Sequence, residues 1–245
     1  LKRTDSSLTK GLYGAGEFDY SLETTSSGTN FGTTETGDVT HTDVFGTGSA
    51  DFLGILNGDT EFSSSYAGMF SGHANGDGSG DITTQFALRL GKAMATYLKC
   101  KTFAVGRDIR DSSPALTENL IAGFVSAGVT VYDLGIVSTG CVYHACWTLP
   151  VDGGVMVTAS HLPMPTHNGF KMCNGTLPLA GEEIQQLKEV FLAGEFDTGQ
   201  GSIVDHPHIE TYLQAIVDSV GPLSRPVKVA VDCGNAVPGP AMVKL

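Results

Sequence analysis

Ser160 and the residues around it carry side chains well suited to chemistry. The segment T-A-S-H-L-P-M-P-T-H-N-G-F-K, residues 158–171, follows an apolar run and places Ser160 beside His161. Two prolines restrict the backbone beyond this pair, so we expect the serine hydroxyl to be held in a fixed place. Lys171 ends the segment with an ammonium group that can neutralise a phosphoryl group or move a proton.

A second polar segment, V-G-R-D-I-R, is predicted to reach the same place. It supplies Arg107, Asp108 and Arg110 directly after a run typical of a buried strand. Guanidinium groups form paired hydrogen bonds with phosphate or carboxylate oxygens. From the residues alone we predict a phosphoryl or carboxylate site, and the alternative is a surface loop with ordinary polar contacts.

The elements that must position these side chains alternate between strands and helices from residue 81 onward. The predicted strands and helices, in chain order, are 84–97 (helix), 102–106 (strand), 113–127 (helix), 129–135 (strand), 142–147 (helix), 154–158 (strand), 181–192 (helix) and 209–220 (helix). This alternation favours a layered α/β/α domain with a mixed, largely parallel sheet. The loops beyond the carboxyl ends of such strands form a binding crevice, and both polar segments are such loops.

Two helix starts have clear signals. Thr83 or Thr84 is the predicted N-cap of the first helix. Ser113 is the predicted N-cap of the second helix, with Pro114 at its first position and Gly128 closing its end.

The chain divides into three parts. Residues 1–80 are rich in Gly, Ser, Thr and acids and keep no period, which predicts an irregular arm. Its spaced aromatic residues leave two alternatives open, a disordered tail or an ordered arm bound to a protein partner or to its own domain. Residues 81–222 form the α/β domain. The run V-K-V-A-V-D after residue 226 predicts a strand that opens an incomplete second domain, 223–245.

Charge and composition exclude some classes of protein. The formal net charge is −12, and the stretch between Lys10 and Arg89 contains eleven acids and no lysine or arginine, so nucleic acid is not expected as a partner. No apolar run reaches the roughly 20 residues of a membrane-spanning helix. Five cysteines without a C-x-x-C pair indicate buried or incidental thiols in a reducing compartment. The chain begins with Leu1, so we expect either a removed targeting peptide or a partial chain.

Four motifs, in this order and spacing, resemble a known family. V-G-R-D-I-R-D-S-S-P, V-Y-D-L-G-I-V-S-T, V-M-V-T-A-S-H-L-P and N-G-F-K are similar to the N-terminal phosphoserine domain of the α-D-phosphohexomutases, the phosphoglucomutase and phosphomannomutase superfamily. The resemblance extends from residue 81 to about 240. Leu162 in T-A-S-H-L-P is similar to a branch found in plants, algae and some bacteria.

The resemblance implies an isomerase that moves a phosphoryl group on hexose phosphates. Ser160 would carry the phosphoryl group, His161 would orient the reacting oxygens, and Lys171 would assist proton transfer. The implied substrate- and phosphate-binding residues are Arg107, Asp108, Arg110 and Asn168. The family also implies a magnesium ion on the phosphoserine, held in this chain through Ser160 only.

Two family features are missing from this sequence. It has no D-x-D-x-D-R aspartate cluster for the metal, and no arginine occurs between Arg3 and Arg89 to form the family's D-I-R-G loop. N-G-D at 57–59 is interpreted as the remainder of that loop. The tract H-A-N-G-D-G-S-G-D does not fit a calcium loop, because Phe86 stands where the closing glutamate should be.

Three functions therefore remain open. The chain is expected to be a phosphohexomutase-type protein that is inactive by itself. The alternative is a non-catalytic truncated homologue that serves as a subunit of a larger complex through its N-terminal arm. A third, weaker alternative is a sensor that binds sugar phosphates. The expected location is soluble, in the cytoplasm or inside an organelle such as a plastid.

Overall fold

The computed structural model of the chain describes residues 69–74, 80, 82–160, 162–179 and 181–245. Most of the predicted arm and His161 lie outside this described part. The strands are β1 (Met69–His73), β2 (Thr102–Arg107), β3 (Thr130–Ile136), β4 (Gly153–Val157), β5 (His167–Asn174), β6 (Leu177–Pro178) and β7 (Ser202–Asp205). The helices are α1 (Thr84–Leu98), α2 (Ser113–Ser126), α3 (Thr139–Thr148), α4 (Glu182–Ala193), α5 (Ile209–Val220) and α6 (Pro238–Met242).

The strands form one mixed sheet in the order β1-β5-β4-β2-β3-β7, with β6 paired to β5. β4, β2, β3 and β7 run parallel, whereas β5 is antiparallel to both β4 and β1. The carboxyl ends of the parallel strands therefore meet at one edge of the sheet. The predicted layered α/β fold with a mixed, largely parallel sheet is confirmed.

Each face of the sheet has its own buried cluster. On one face, α1, α2 and α4 pack around aromatic side chains that include Phe103, Phe124 and Phe170. On the other face, α3 packs against Met156 and its neighbours, and α5 adds partly buried side chains. Burial of apolar area on both faces accounts for the continuous apolar runs of β2 and β4.

α1 and α2 approach each other closely through two glycines. A Cβ atom on Gly91 would contact the carbonyl oxygen of Leu120, and one on Gly123 would contact the carbonyl oxygen of Leu88. The two glycine Cα positions thus allow backbone-to-backbone packing that no larger residue permits. This contact fixes α2, whose first turn borders the candidate site.

Sequence patterns predicted the starts of α1 and α2 to within one residue. Thr83 caps α1 as predicted, accepting a hydrogen bond from the backbone N–H of Phe86 at 3.1 Å. The second helix start is corrected by one residue: Ser112 occupies the N-cap position without a capping bond, and its hydroxyl accepts from the Asn168 amide at 2.8 Å.

Two further expectations are corrected at the ends of the α/β unit. β1 shows that regular structure begins within the segment predicted to be irregular up to residue 80. V-K-V-A-V-D forms no strand: residues 226–232 have no regular structure, and Val229 is 74% exposed. Its backbone has no neighbouring strand to pair with in the described part of the chain. No helix described here is long and apolar enough to cross a membrane.

Candidate functional site

Ser160 lies at the carboxyl edge of the sheet, three residues after the fully buried strand β4. Its backbone φ is 56°, in the left-handed region that non-glycine residues rarely adopt. The backbone N–H of Ser160 donates to Oγ1 of Thr158 at 3.1 Å, which turns the chain sharply. Strained backbone of this kind is common at functional sites and persists only where surrounding contacts enforce it.

Arg110 supplies those contacts from the loop after β2. Its guanidinium group donates to the carbonyl oxygens of Ser160 at 3.0 Å and of Pro163 and His167 at 3.1 Å each. Arg110 is only 4% exposed. The buried guanidinium group therefore hydrogen-bonds to three carbonyl groups and stabilises the conformation of the loop that runs from Ser160 to His167.

Asp108 balances the charge of Arg110. Its carboxylate accepts from Nε of Arg110 at 2.9 Å, from the Arg110 backbone N–H at 3.0 Å and from the Ser113 hydroxyl at 2.5 Å. The pair is buried, so its attraction is weakly screened by solvent. Through Ser113 the pair also connects the loop to the first residue of α2.

Asn168 extends the network to β5. Its side-chain amide donates to the hydroxyls of Ser112 and Ser113 at 2.8 and 2.9 Å, and its carbonyl oxygen accepts from the Gly169 backbone N–H at 2.8 Å. Asn168 is fully buried. β2, α2, β5 and the Ser160 loop are thereby linked by buried hydrogen bonds, an arrangement that positions Ser160 rigidly.

Arg107 is the more accessible of the two arginines. It ends β2 and lies opposite Val157 in the parallel register, one strand away from the segment that carries Ser160. Its side chain is half-buried, and one guanidinium nitrogen donates to the carbonyl oxygen of Asp108 at 3.2 Å. Arg107 is thus placed at the same edge as the Ser160 loop.

Lys171 lies further back along the sheet. In β5 it is the cross-strand partner of Met156, on the face covered by α3. Burial lowers the pKa of its ammonium group below the ordinary lysine value. A lysine with a depressed pKa exchanges protons more readily near neutrality than an exposed one.

The structure brings together most of the residues proposed from sequence. Arg107, Asp108, Arg110, Ser160 and Asn168 meet at the carboxyl edge of the sheet, whereas Lys171 lies behind it and His161 is outside the described residues. Direct substrate contact by these residues stays a prediction. Sequence reasoning missed the roles of Thr158, Ser112 and Ser113, whose only signal was a hydroxyl-rich composition next to the two loops.

The described residues do not fit a complete magnesium site. Asp108 is connected to the Ser160 loop through Arg110, and both of its carboxylate oxygens already accept hydrogen bonds within the protein. Among the residues that the structure describes, no group of three or more His, Cys, Asp or Glu could hold a metal ion.

Comparison with known proteins identifies the family. The family model for phosphoglucomutase/phosphomannomutase, alpha/beta/alpha domain I, matches residues 71–198. A phosphomannomutase/phosphoglucomutase of Pseudomonas aeruginosa is 38% identical over 161 residues, covering 64% of this chain and 34% of that protein. A phosphoglucomutase of Neisseria meningitidis is 38% identical over 169 residues, covering 67% of this chain and 36% of that protein.

A solved structure gives the same result. The crystal structure of a phosphoglucomutase/phosphomannomutase family protein from Burkholderia thailandensis superposes with a TM-score of 0.66 at 33% identity, covering 73% of this chain and 40% of that one. This chain spans about a third of the length of the curated relatives it matches. The chain belongs to the phosphoglucomutase/phosphomannomutase family and contains its α/β/α domain I.

Proposed function

We propose that Ser160 is the phosphoryl-carrying nucleophile of a phosphohexomutase. The observation that carries the proposal is the strained backbone of Ser160, held by three carbonyl bonds to the buried cation of Arg110. Phosphoryl transfer depends mainly on positioning and charge neutralisation, which a rigid loop of this kind favours. Relatives named phosphoglucomutase and phosphomannomutase support hexose phosphates as the substrate class.

In the proposed step, the Ser160 hydroxyl oxygen attacks the phosphorus of a phosphate on a hexose bisphosphate. A new serine O–P bond forms, the sugar O–P bond breaks, and the serine proton passes to the sugar oxygen. Lys171 is assigned assistance in this proton transfer: it lies behind the edge, but its cross-strand partner Met156 is only one residue from the end of β4, and burial lowers the pKa of its ammonium group. Arg107, half-buried at the same edge, neutralises the phosphoryl oxygens.

Asp108, Arg110 and Asn168 act as positioning residues in this proposal. Their polar groups hydrogen-bond within the protein, so they stabilise the loop that presents Ser160. We also propose that the 245-residue chain alone turns over hexose phosphates slowly or not at all. The support is the much greater length of its curated relatives and the missing aspartate cluster.

The test separates phosphoryl acceptance from turnover. Purified protein is incubated with glucose 1,6-bisphosphate and magnesium, and phosphorylated residues are located by peptide mass spectrometry. Phosphate on Ser160 is expected, with none on Ser160→Ala and unchanged phosphate on Ser138→Ala, a serine at the carboxyl end of β3 on the same sheet edge. A coupled mutase assay with glucose 1-phosphate and mannose 1-phosphate then measures turnover by the same samples.

The outcomes discriminate between the two parts of the proposal. Phosphorylated Ser160 without turnover supports both parts. Robust turnover refutes the proposed slow or absent turnover of this chain but keeps Ser160 as nucleophile. Phosphate on another residue, or none, refutes the nucleophile assignment. The alternative, a non-catalytic subunit attached through an N-terminal arm, depends on residues outside the described part, and no described observation favours it.

A further inference from the structure

A pair of cysteines meets inside the α3 layer of the fold, away from Ser160. Cys146 is in the last turn of α3, and Cys173 is near the end of β5. Both belong to the same buried cluster, at 5% and 1% exposure, and both are free thiols. The phosphoryl-transfer proposal uses neither of them.

Two independent features of the backbone place the sulfur atoms next to each other. A Cβ atom on Gly154 would lie 2.7 Å from Sγ of Cys146, so this sulfur occupies the space left by the missing side chain. Gly154 is also the cross-strand partner of Cys173. Cross-strand partners have Cβ positions roughly 4.5–5.5 Å apart on the same face of the sheet. The Cys146 sulfur therefore lies directly beside the Cys173 side chain.

The neighbouring Cys146 thiol lowers the pKa of Cys173, and the pKa of Cys146 is raised by Cys173 and by burial. Cys173 is therefore the sulfur that more easily becomes a thiolate. By contrast, burial raises the pKa of Cys100 and of Cys141 to about 12, which keeps both as inert thiols. The thiolate is the reactive form of cysteine.

We propose that Cys146 and Cys173 are a redox pair that closes to an intramolecular disulfide in the presence of a hydroperoxide. The Cys173 thiolate attacks an oxygen of the hydroperoxide, the O–O bond breaks, and a sulfenic acid forms. The Cys146 sulfur then attacks this sulfenic sulfur, its thiol proton is released, and water leaves. The two thiols lose two electrons and two protons in total, and the hydroperoxide is reduced to water and an alcohol, or to two waters when it is hydrogen peroxide.

The oxidant must reach Cys173, which is buried beneath the last turn of α3. Opening of that turn, which carries Cys146, would expose the Cys173 sulfur. Cys146 lies two residues before the end of a ten-residue helix, where the backbone opens most easily. The disulfide would join α3 to β5, the strand that also carries Lys171 two residues before Cys173. A dithiol reductant reverses the reaction by thiol–disulfide exchange.

The test uses the full chain treated with hydrogen peroxide, with remaining thiols then alkylated under denaturing conditions. Peptide mapping without reduction is expected to show Cys146 linked to Cys173, with a mass loss of two hydrogen atoms that dithiothreitol restores. The melting temperature is expected to rise by about 5–10 °C on oxidation, because the closed loop constrains the unfolded chain. Mapping of the wild-type chain needs no variant, so it is independent of any folding defect.

A matched pair of variants completes the test. Cys173→Ala is expected to abolish the mass loss and the shift in melting temperature. Cys141→Ala, a fully buried cysteine in the same helix and cluster as Cys146, is expected to keep both. The proposal is overturned if the wild-type chain gains oxygen atoms in place of losing hydrogens, if mapping finds another cysteine pair, or if the thiols survive unchanged.

Discussion

Replacing Arg110 with glutamine removes the buried cation that holds the Ser160 loop. The guanidinium group makes three hydrogen bonds to loop carbonyls and one ion pair with Asp108. Breaking one partner of a buried ion pair costs about 3–5 kcal/mol, because the remaining charge stays buried without compensation. Asp108 keeps its bonds from Ser113 and from the backbone, which places the expected loss of unfolding free energy at about 4 kcal/mol.

Urea denaturation of the wild-type chain and of Arg110→Gln measures this loss directly. Arg107→Gln is the matched control: the same substitution one strand end away, at a half-buried arginine with a single backbone hydrogen bond. We expect it to lose less than about 1 kcal/mol. Arg110→Lys restores the charge without the planar fork, so we expect it to recover only part of the loss.

The effects of replacing the two charged residues are also expected to be coupled. In a double-mutant cycle, adding Asp108→Asn to Arg110→Gln should cost much less than Asp108→Asn alone, because the buried pair is already broken. A loss in Arg110→Gln no larger than that in Arg107→Gln would refute the claim that Arg110 holds the loop. Additive losses in the cycle would refute the ion pair as its origin.

Three further predictions concern backbone strain, helix packing and pH. Ser160→Gly and Ser160→Ala both lose the hydroxyl, but only glycine adopts the positive φ without strain. Thermal denaturation should therefore show the glycine variant to be more stable by about 1 kcal/mol. Equal stability would argue against backbone strain at this position. Gly123→Ala should destabilise the fold by more than about 1 kcal/mol, since its Cβ would contact the Leu88 carbonyl oxygen, and an unchanged urea midpoint would contradict the close packing. Burial, together with the nearby His144 and His206, lowers the pKa of His208. Folding therefore favours the neutral imidazole. Its stabilising contribution is present above the histidine pKa of the unfolded chain and is lost as pH falls through the pKa of the folded protein. Denaturation midpoints measured across this range should fall with acid less steeply in His208→Gln, and parallel curves would exclude the histidine.

The fold could be predicted from sequence where one local pattern decides an element. The three- and four-residue spacing of Phe86, Leu90 and Ala93 places one apolar face on α1, and all three side chains are buried. The strands were harder to predict from sequence. β5 carries the polar N-G-F-K motif, and its pairing with β4 and β1 depends on partners far away in the sequence. V-K-V-A-V-D has strand propensity, but propensity alone does not form a strand without a neighbouring backbone.

Some features of the candidate site could likewise be predicted from sequence, and others could not. The positions of Ser160 and Arg107 at strand ends followed from the order of strands and loops. The burial of Arg110 could not be inferred, because the carbonyl groups that accept its hydrogen bonds lie 50, 53 and 57 residues further along the chain. An arginine next to a serine loop has the same sequence signature whether it contacts a phosphate or the loop's own carbonyls. Only the tertiary contacts distinguish the two roles.

Location of phosphate on the protein after incubation with glucose 1,6-bisphosphate shows directly whether Ser160 is the nucleophile. We expect phosphate on Ser160, absent from Ser160→Ala and retained in Ser138→Ala. Phosphate on any other residue, or an unmodified chain in which Ser160 is intact, would contradict this assignment.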